Sequence, residues 1–318
     1  MSYKSKVASF LPERDIPDLS GKVILVTGGN GGLGKELILS VAKKNPKQIF
    51  MTGRNESACL RAIENIKCQV PNILPNITFL QCDLASLSTV QSAAEHFRRE
   101  AVRLDLLICC AGIMIVPPGL TKDGYEIQFG TNHLGHALLT KLLLPVLLKT
   151  AKEPNGDVRI VVFSSQGWNL HPRKGIVFDK LRTTQADLWI ARYQLYGQSK
   201  LANTLYTAEL ARRYPQLTCV SIHPGVVMTN LVTSTTDIDQ KIVKLTSSSK
   251  ILTPEEGTRN ALWAATTKKE AINNGAYYEP LGDLVKLGRK GNDTDLARKL
   301  WEWTDKELET YTNDDDWS

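Results

Sequence analysis

The sequence has little of several features that mark specialised classes of protein. Aromatic residues make up only 7% of its 318 residues, and no tract of low complexity or of one repeated charge interrupts it. Hydrophobic residues account for 42% and charged residues for 23%, which is the balance of an ordinary globular chain. These proportions exclude a disordered or collagen-like protein and leave enough apolar side chains for a large core.

Long hydrophobic runs and targeting signals are also missing. The longest uninterrupted apolar run covers residues 106–116 and contains Gly112, so it is too short to cross a bilayer. The first residues, Met1 to Lys6, lack the apolar segment of a signal peptide. We therefore expect a cytoplasmic protein without a transmembrane segment.

Metal-binding and nucleic-acid-binding patterns are absent as well. The six cysteines include no CxxC pair, and the five histidines show no ligand spacing, so we expect no metal site. The net charge of +6 is spread over short basic pairs instead of one basic face. Because no nucleic-acid-binding motif accompanies this charge, we expect no nucleic-acid partner.

Apolar strand-like runs alternate with helical patterns along the chain. Strands are predicted at residues 22–27, 48–52, 77–82, 104–110, 159–165, 218–223 and 276–279. Helices are predicted at residues 35–44, 57–70, 87–103, 130–149, 193–214 and 254–267. Continuous apolar strands separated by helices indicate a mainly parallel sheet with helices on both faces. The predicted fold class is therefore α/β, a doubly wound sheet of the Rossmann type.

No internal repeat or linker divides the chain, so we expect one domain over residues 1–318 with its core at about 20–280. Residues 166–192 and 226–252 break the alternation of strands and helices, and long loops of this kind often bind substrates. The C-terminal extension, at about residues 286–318, has apolar residues at helical spacing. We expect a packing helix there.

A glycine-rich segment directly follows the first predicted strand. It runs from Gly28 through Asn30, Gly32 and Leu33 to Gly34 and leads into the first predicted helix. Glycines allow a backbone to approach a pyrophosphate closely, and a helix N-terminus offers free N–H donors to it. This placement between a strand and a helix predicts a dinucleotide-binding site.

The end of the second predicted strand indicates which dinucleotide is bound. A carboxylate there would accept a hydrogen bond from a ribose 2′-hydroxyl, whereas an arginine would bind a 2′-phosphate. The chain has Thr52 and then Arg54 at this point, and no acidic residue before Glu56. The guanidinium of Arg54 is a permanent, planar cation. The sequence therefore favours NADP(H).

A second set of polar residues suggests acid–base chemistry. Tyr196 and Lys200 are four residues apart in a predicted helix, which places the phenol and the ammonium on one face. A nearby cation favours the phenolate and so lowers the pKa of a tyrosine. Ser164 and Ser165 end a predicted strand at the edge where such folds bind ligands, and either hydroxyl could bond a carbonyl oxygen there.

These segments together resemble the short-chain dehydrogenase/reductases. The resemblance covers about residues 20–280 and comprises the Thr27–Gly34 segment, Asp83-Leu84, Cys110-Ala111-Gly112, Asn132, Ser165, Tyr196 with Lys200, and Pro224-Gly225. Within this family, Phe129–His136 and Thr253–Gly257 look like the retinol-dehydrogenase-like group, including WW-domain oxidoreductase relatives, although no WW domain is present. One departure is Cys109-Cys110, where the family usually has two asparagines.

The resemblance implies a role for each matching position. Tyr196 would be the general acid/base, and Ser165 would orient and polarise the substrate carbonyl. Lys200 would bind the nicotinamide ribose and lower the pKa of Tyr196, while Asn132 would hold a water that links Lys200 to solvent. The cofactor-binding residues would be Gly28, Asn30, Gly32, Leu33, Gly34, Arg54, Asp83, Leu84, Cys110, Ala111, Gly112, Asn132, Tyr196, Lys200, Pro224, Gly225, Val227 and Thr229.

The expected activity is an NADP(H)-dependent interconversion of a carbonyl and an alcohol. Apolar loop residues suggest a hydrophobic substrate, such as a lipid, retinoid, terpenoid or polyketide: Trp168, Trp189, Ile190, Val226, Val227 and Met228. Two alternatives stay open, a non-redox enzyme on the same scaffold (an epimerase, dehydratase or cyclase) and a dinucleotide-binding interaction protein without turnover. The resemblance also suggests a homodimer formed through the long helices at about 130–149 and 196–214.

Overall fold

The computed structural model describes residues 10–70, 76–187, 190–227, 239 and 251–312. In these residues eight strands form one sheet of the order β3-β2-β1-β4-β5-β6-β7-β8. The strands are β1 (Val23–Thr27), β2 (Gln48–Gly53), β3 (Ile77–Gln81), β4 (Leu106–Cys109), β5 (Arg159–Phe163), β6 (Thr218–Ile222), β7 (Tyr277–Glu279) and β8 (Asp283–Leu284). All neighbouring pairs are parallel except β7 and β8. The predicted doubly wound sheet is confirmed, and β8 is an exposed two-residue addition that no sequence pattern indicated.

Helices cover both faces of the sheet. They are α1 (Gly32–Ala42), α2 (Glu56–Gln69), α3 (Leu87–Glu100), α4 (Gly135–Ala151), α5 (Ala191–Arg213), α6 (Pro254–Thr266) and α7 (Thr294–Glu307). Successive residues of β1 point to opposite faces. Leu25 belongs to a core with α3, α4 and α5, and Ile24 belongs to a core with α1, α2 and α6. Burial on both faces is the reason why the strands are apolar without alternation.

The helix predicted at residues 130–149 is not uniform. A one-turn helix, Ile127–Phe129, leads into a π-helical turn, Gly130–Leu134, before α4 begins. The Glu126 carboxylate caps this start by accepting the backbone N–H groups of Gln128 and Phe129 at 3.0 and 2.7 Å. π-helical turns inside helices are common at functional sites, and this one contains Asn132.

The predicted packing helix of the C-terminal extension is confirmed as α7, which docks on α5. The rings of Trp301 and Tyr206 stack with centroids 4.8 Å apart, and the Arg213 guanidinium lies 4.8 Å above the Trp301 ring. His133 Nε2 and Thr304 Oγ1 are 3.0 Å apart. Helix α7 thus covers part of the helical surface through which the sequence suggests a homodimer.

One helical stretch in the described part of the chain is long and apolar enough to cross a membrane. It is Ile127–Ala151, with a mean hydropathy of 1.3 in its most apolar window. Lys141 and Pro145 interrupt this stretch, so a search for uninterrupted apolar runs does not find it. In the fold 67% of that window is buried within the protein, which accounts for its apolar character.

Candidate active site

The glycine-rich loop is tightly packed on one side, at Gly34, and open on the other, at Gly31. Gly28 has φ +69°, and its N–H and that of Gly29 donate to the Thr52 carbonyl at 3.0 and 3.2 Å. A Cβ on Gly34 would overlap the Gly28 carbonyl oxygen, whereas a Cβ on Gly31 would meet no atom within 4 Å. The loop therefore needs small residues on its packed side and leaves its outer side accessible.

Helix α1 begins at this loop without a side-chain cap. Its N-cap residue is Gly31, which has no side chain to accept the first N–H groups of the helix. By contrast, Asn55 caps α2 by accepting the Ala58 N–H at 2.9 Å. Uncapped N–H groups and the helix dipole favour a bound anion. The cradle formed by these glycines fits the pyrophosphate of a dinucleotide.

Arg54 lies directly after β2 and is exposed at the same edge of the sheet. Its backbone carbonyl accepts the Gln81 side-chain amide at 3.0 Å, which ties this corner to β3. The Asn30 side chain lies beside Gly53, where an added Cβ would come within 3.3 Å of Asn30 Oδ1. Arg54 and Asn30 therefore border one corner, next to the glycine-rich loop.

The segment after β3 contains the predicted cofactor residues Asp83 and Leu84. Asp83 Oδ1 accepts the Ala85 N–H at 3.1 Å, and the Asp83 N–H donates to Thr89 Oγ1 at 3.0 Å. Leu84 is buried, and a Cβ on Gly135 would come within 2.6 Å of the Leu84 carbonyl oxygen. Leu84 thus packs against α4, and Asp83 stabilises its own turn.

The loop after β4 brings the cofactor side of the site to Lys200. The Ala111 N–H donates to Thr27 Oγ1 at 3.0 Å, which joins this loop to the end of β1. A Cβ on Gly112 would lie 2.9 Å from Asn132 Oδ1 and 3.6 Å from Lys200 Nζ. Cys110 is half-buried, and burial raises the pKa of its thiol to about 12, while the Lys200 charge acts in the opposite direction.

Asn132 uses its whole side-chain amide within the protein. Its Oδ1 accepts the Ile113 N–H at 2.8 Å, and its Nδ2 donates to the Ile113 carbonyl and to Ser199 Oγ, both at 2.9 Å. The Asn132 backbone carbonyl is paired with the His136 ring. The structure therefore shows Asn132 holding the loop after β4, while the water-holding role implied by the family stays a prediction.

His136 is a buried member of the site that the sequence predictions do not include. Its Nδ1 lies 3.0 Å from the Asn132 carbonyl, and its Nε2 lies 2.9 Å from Thr27 Oγ1. A carbonyl only accepts, so Nδ1 carries the proton and Nε2 accepts from the threonine hydroxyl. Burial lowers the pKa of His136 to about 4, so the ring is neutral. The spacing of four from Asn132 was the only sequence signal.

The two adjacent serines at the end of β5 have different surroundings. Ser164 is buried, and its hydroxyl donates to the Lys200 carbonyl at 2.9 Å and accepts from Thr204 at 3.0 Å. Ser165 is half-exposed, and its Oγ accepts the Gly167 N–H at 3.0 Å. A Cβ on Gly167 would lie 2.9 Å from the Tyr196 ring and 3.3 Å from Ser165 Oγ. Ser165 is therefore the serine that accompanies Tyr196.

Tyr196 and Lys200 are both buried on one face of α5. Lys200 Nζ donates to the Phe163 carbonyl at 3.0 Å and lies 5.7 Å from the centroid of the Tyr196 ring. The sequence predicts that Lys200 lowers the pKa of Tyr196, but burial instead raises this pKa to about 12, opposed by a hydrogen bond to Ser165. Burial also lowers the pKa of Lys200 to about 8. Burial has this effect on both groups because the charged form of each loses water.

The loop after β6 closes the site on the side of α6. Gly225 has φ +90°, and Val227 is buried. A Cβ on Gly257 would overlap Val227 and come within 2.9 Å of Leu33. Leu33 of the glycine-rich loop and Val227 therefore meet at Gly257 of α6. Thr229, Trp189 and Met228 lie outside the described residues.

His223 directly follows β6, and its two buried ring nitrogens have no hydrogen-bond partner among the residues that the structure describes. It is 5% exposed, and burial lowers its pKa to about 4, with the Lys200 charge acting in the same direction. Buried polar atoms normally find partners. Unpaired nitrogens here, next to Pro224 and Gly225, fit a site that receives a polar group such as the cofactor.

Comparisons with known proteins agree with this arrangement. Residues 22–175 match the family model described as short chain dehydrogenase. An uncharacterised oxidoreductase of Schizosaccharomyces pombe is 39% identical over 93% of this chain and 87% of its own length. A short-chain dehydrogenase/reductase of Armillaria gallica is 34% identical, with 93% of each chain covered. The crystal structure of an uncharacterised protein of Mycobacterium paratuberculosis superposes with a TM-score of 0.71 at 28% identity, covering 94% of this chain and 97% of that one.

The fold and these relatives define an oxidoreductase of the α/β class. The chain belongs to the short-chain dehydrogenase/reductase family. This family binds NAD(H) or NADP(H) and acts on small molecules.

Proposed function

We propose that the protein is an NADP(H)-dependent oxidoreductase that interconverts a carbonyl and an alcohol on a hydrophobic small molecule. The observation that carries this proposal is the meeting of Ser165, Tyr196 and Lys200 beside Gly112, where the loop after β4 adjoins the glycine-rich loop. A cofactor cradle, a hydroxyl, a phenol and an ammonium thus share one edge of the sheet.

Tyr196 is the proton donor in the direction of reduction. A pKa of about 12 keeps its phenol protonated at neutral pH, so it holds the proton that the carbonyl oxygen needs. Ser165 donates a hydrogen bond to the same oxygen as negative charge develops there. When bound, the nicotinamide supplies or accepts the hydride. The Lys200 ammonium stabilises the Tyr196 phenolate, which forms as the phenol gives up its proton in reduction and which takes the alcohol proton in oxidation.

The remaining predicted residues hold the cofactor. Gly28, Gly32 and Gly34 form the pyrophosphate cradle, and the first turn of α1 donates its free N–H groups to the phosphates. Arg54 binds the 2′-phosphate of NADP(H), which is supported by its exposure at the end of β2. Asn132 holds the loop after β4 against Lys200, so it acts on the cofactor through that loop.

An apolar wall beside the phenol supports a hydrophobic substrate. Met114 and Ile115 form a buried cluster with the Tyr196 ring, and Tyr193 packs against it. A substrate whose carbonyl group lies at Tyr196 places its substituents against these apolar side chains. Apolar substituents are therefore favoured over charged ones. The six unpaired cysteines support a place in the cytoplasm, where thiols stay reduced.

The direct test combines cofactor titration with a carbonyl panel. Fluorescence titration should show tighter binding of NADPH than of NADH. Ketones and aldehydes with apolar substituents should then oxidise NADPH, and deuterium at the reactive position of the nicotinamide should appear on the carbinol carbon of the product. Binding of NADPH with product formation but no deuterium transfer would instead indicate a non-redox enzyme. Binding without any turnover would indicate a dinucleotide-binding interaction protein.

A further inference from the structure

The loop after β4 contains a strained residue next to Tyr196. Ile115 has φ +52°, a left-handed conformation that a β-branched residue adopts only under constraint. The other non-glycine residues with positive φ in the described part of the chain are Asn45, Asn155 and Gln185, and none is β-branched. Backbone strain of this kind persists only where surrounding structure imposes it, and it is concentrated at functional sites.

Two buried amides impose this conformation. The Ile115 N–H donates to Gln128 Oε1 at 2.8 Å, and Asn132 bonds both the N–H and the carbonyl of Ile113. Gln128 and Asn132 are fully buried and lie four residues apart in one helical segment. The loop is therefore fixed at two points by side chains that have no access to solvent.

Gln128 also ties the loop to the helix that carries Tyr196. Its Nε2 donates to the Arg192 carbonyl at 2.9 Å, and Arg192 lies one turn before Tyr196 in α5. Ile115 is 5% exposed and belongs to the same buried cluster as the Tyr196 ring. Gln128 thus connects the backbone of Ile115 to the helix that carries the phenol, while Asn132 fixes the same loop at Ile113.

We propose that Ile115 is a specificity-determining residue that limits the size of the substrate group next to the reacting carbonyl. Its left-handed backbone, held by Gln128, keeps a branched side chain against the ring of Tyr196. Gln128 is a positioning residue that acts through Ile115. This inference rests on the proposed carbonyl–alcohol activity, because the wall matters only if a substrate binds at Tyr196.

The first test measures substrate selectivity in Ile115→Gly. Glycine adopts a positive φ without strain and removes the whole side chain. In a series of ketones that differ only in the bulk of one substituent, kcat/KM for the bulkiest relative to the smallest should rise by about tenfold or more. The Kd for NADPH should stay within about twofold, since the change is confined to the substrate wall. Gln128→Leu should shift the same selectivity in the same direction.

The second test measures the strain itself by thermal unfolding. At position 115 the glycine variant should have a Tm equal to or above that of Ile115→Ala, because alanine also resists a positive φ. Ile113 provides the matched control, since its φ is not in the left-handed range. There the usual order should hold, with Ile113→Ala more stable than Ile113→Gly.

The outcomes separate this inference from the proposed function. If the wild-type protein reduces carbonyls but Ile115→Gly keeps the same selectivity, the role of Ile115 is wrong and the proposed function stands. If the wild-type protein reduces no carbonyl in the panel, both are wrong. If alanine is more stable than glycine at position 115, the strained conformation that carries the inference is wrong.

Discussion

The two ends of α5 each bury a tyrosine, and their surroundings differ. Tyr206 lies between the His133 ring, 5.2 Å away, and the Trp301 ring, 4.8 Å away, so aromatic side chains enclose it. Burial raises its pKa far above the usual value, and the Asp305 charge raises it further. Tyr196 is equally buried, but its phenol has the Ser165 hydroxyl as a partner and Lys200 above its ring.

This difference shows that two equally buried tyrosines can have different polar partners. Desolvation raises the pKa of both phenols, since the charged form loses water in either place. At the Tyr196 end, Ser165 comes from the loop after β5, at the carboxyl edge of the sheet, and Lys200 comes from α5 itself. The Tyr206 end is covered by α7 instead. The elements packed on α5 therefore decide which tyrosine has the Ser165 hydroxyl as a partner.

The largest effect on kcat should come from removing the Tyr196 hydroxyl. Tyr196→Phe should lower kcat by about 10³-fold, because the proton donor is lost, and should leave the Kd for NADPH within about twofold. Tyr206→Phe is the matched control, and its kcat should change by less than about twofold. Steady-state kinetics on one ketone would check both. Similar losses of kcat in the two variants would contradict the proposed difference between the two ends of α5.

Ser165 should have the next largest effect. Ser165→Ala removes the hydroxyl that meets the developing oxyanion, so kcat should fall by about 10²-fold. The KM for the ketone should change much less than kcat, because the bond strengthens in the transition state. If kcat stayed within twofold of the wild type, Ser165 would not be the group that polarises the carbonyl.

The pH dependence of reduction should reflect Lys200. Its pKa of about 8 lies below its ordinary value, so the ammonium is present below pH 8 and is lost as the pH rises through 8. The kcat/KM for reduction should therefore fall by about tenfold per pH unit above 8. Tyr196 stays protonated over this range because its pKa is about 12.

Lys200→Arg would sharpen the assignment of this fall. A guanidinium does not deprotonate in this range, so the profile of the variant should stay level above pH 8 even if its overall rate is lower. A fall at the same pH in both proteins would assign the titration to another group.

Replacing Arg54 should weaken the binding of NADPH and leave the chemistry at Tyr196 unchanged. Arg54→Ala should raise the Kd for NADPH by about tenfold and leave that for NADH unchanged, since only NADPH carries the 2′-phosphate. At saturating NADPH, kcat should equal that of the wild type. Fluorescence titration with both cofactors would measure this, and equal weakening of both would refute the NADP(H) preference.

Trp301→Ala should have the smallest effect on activity. It removes the ring that stacks on Tyr206, so the free energy of unfolding should fall by about 2–3 kcal/mol, less than for a fully buried tryptophan. At temperatures where the variant is folded, kcat should stay within about twofold. Denaturant unfolding and kinetics would test this separation, and a large loss of kcat would show that the two ends of α5 are coupled.

Much of the fold follows from local sequence. The seven parallel strands are found within two residues of their predicted positions, because each is a short apolar run between turns or helices. The glycine-rich segment and the spacing of Tyr196 and Lys200 were also readable, since both are local patterns. The π-helical turn at Asn132 and strand β8 were missed, because neither has a residue pattern of its own.

The site required more than local patterns. The strand-end pattern left Ser164 and Ser165 open and the family resemblance pointed to Ser165, but only the packing of β5 against α5 shows that Ser164 is bonded within the core. His136 looked like an ordinary helix residue and Gln128 lay before the predicted helix, yet His136 is paired with Thr27 and Gln128 bonds the strained loop at Ile115. The predicted lowering of the Tyr196 pKa was wrong in direction, because burial, which raises this pKa, cannot be read from a spacing of four.

The sequence by itself determined the order of strands and helices, the cradle at Gly28–Gly34 and the chemical types of the side chains. These depend on periodicity and on backbone freedom, which are properties of neighbouring residues. The tertiary structure alone decided that Ile115 is held left-handed and that α7 covers Tyr206 while Tyr196 stays beside Ser165. Such outcomes depend on contacts between residues far apart in the chain, where burial and hydrogen-bond partners set the energy of each group.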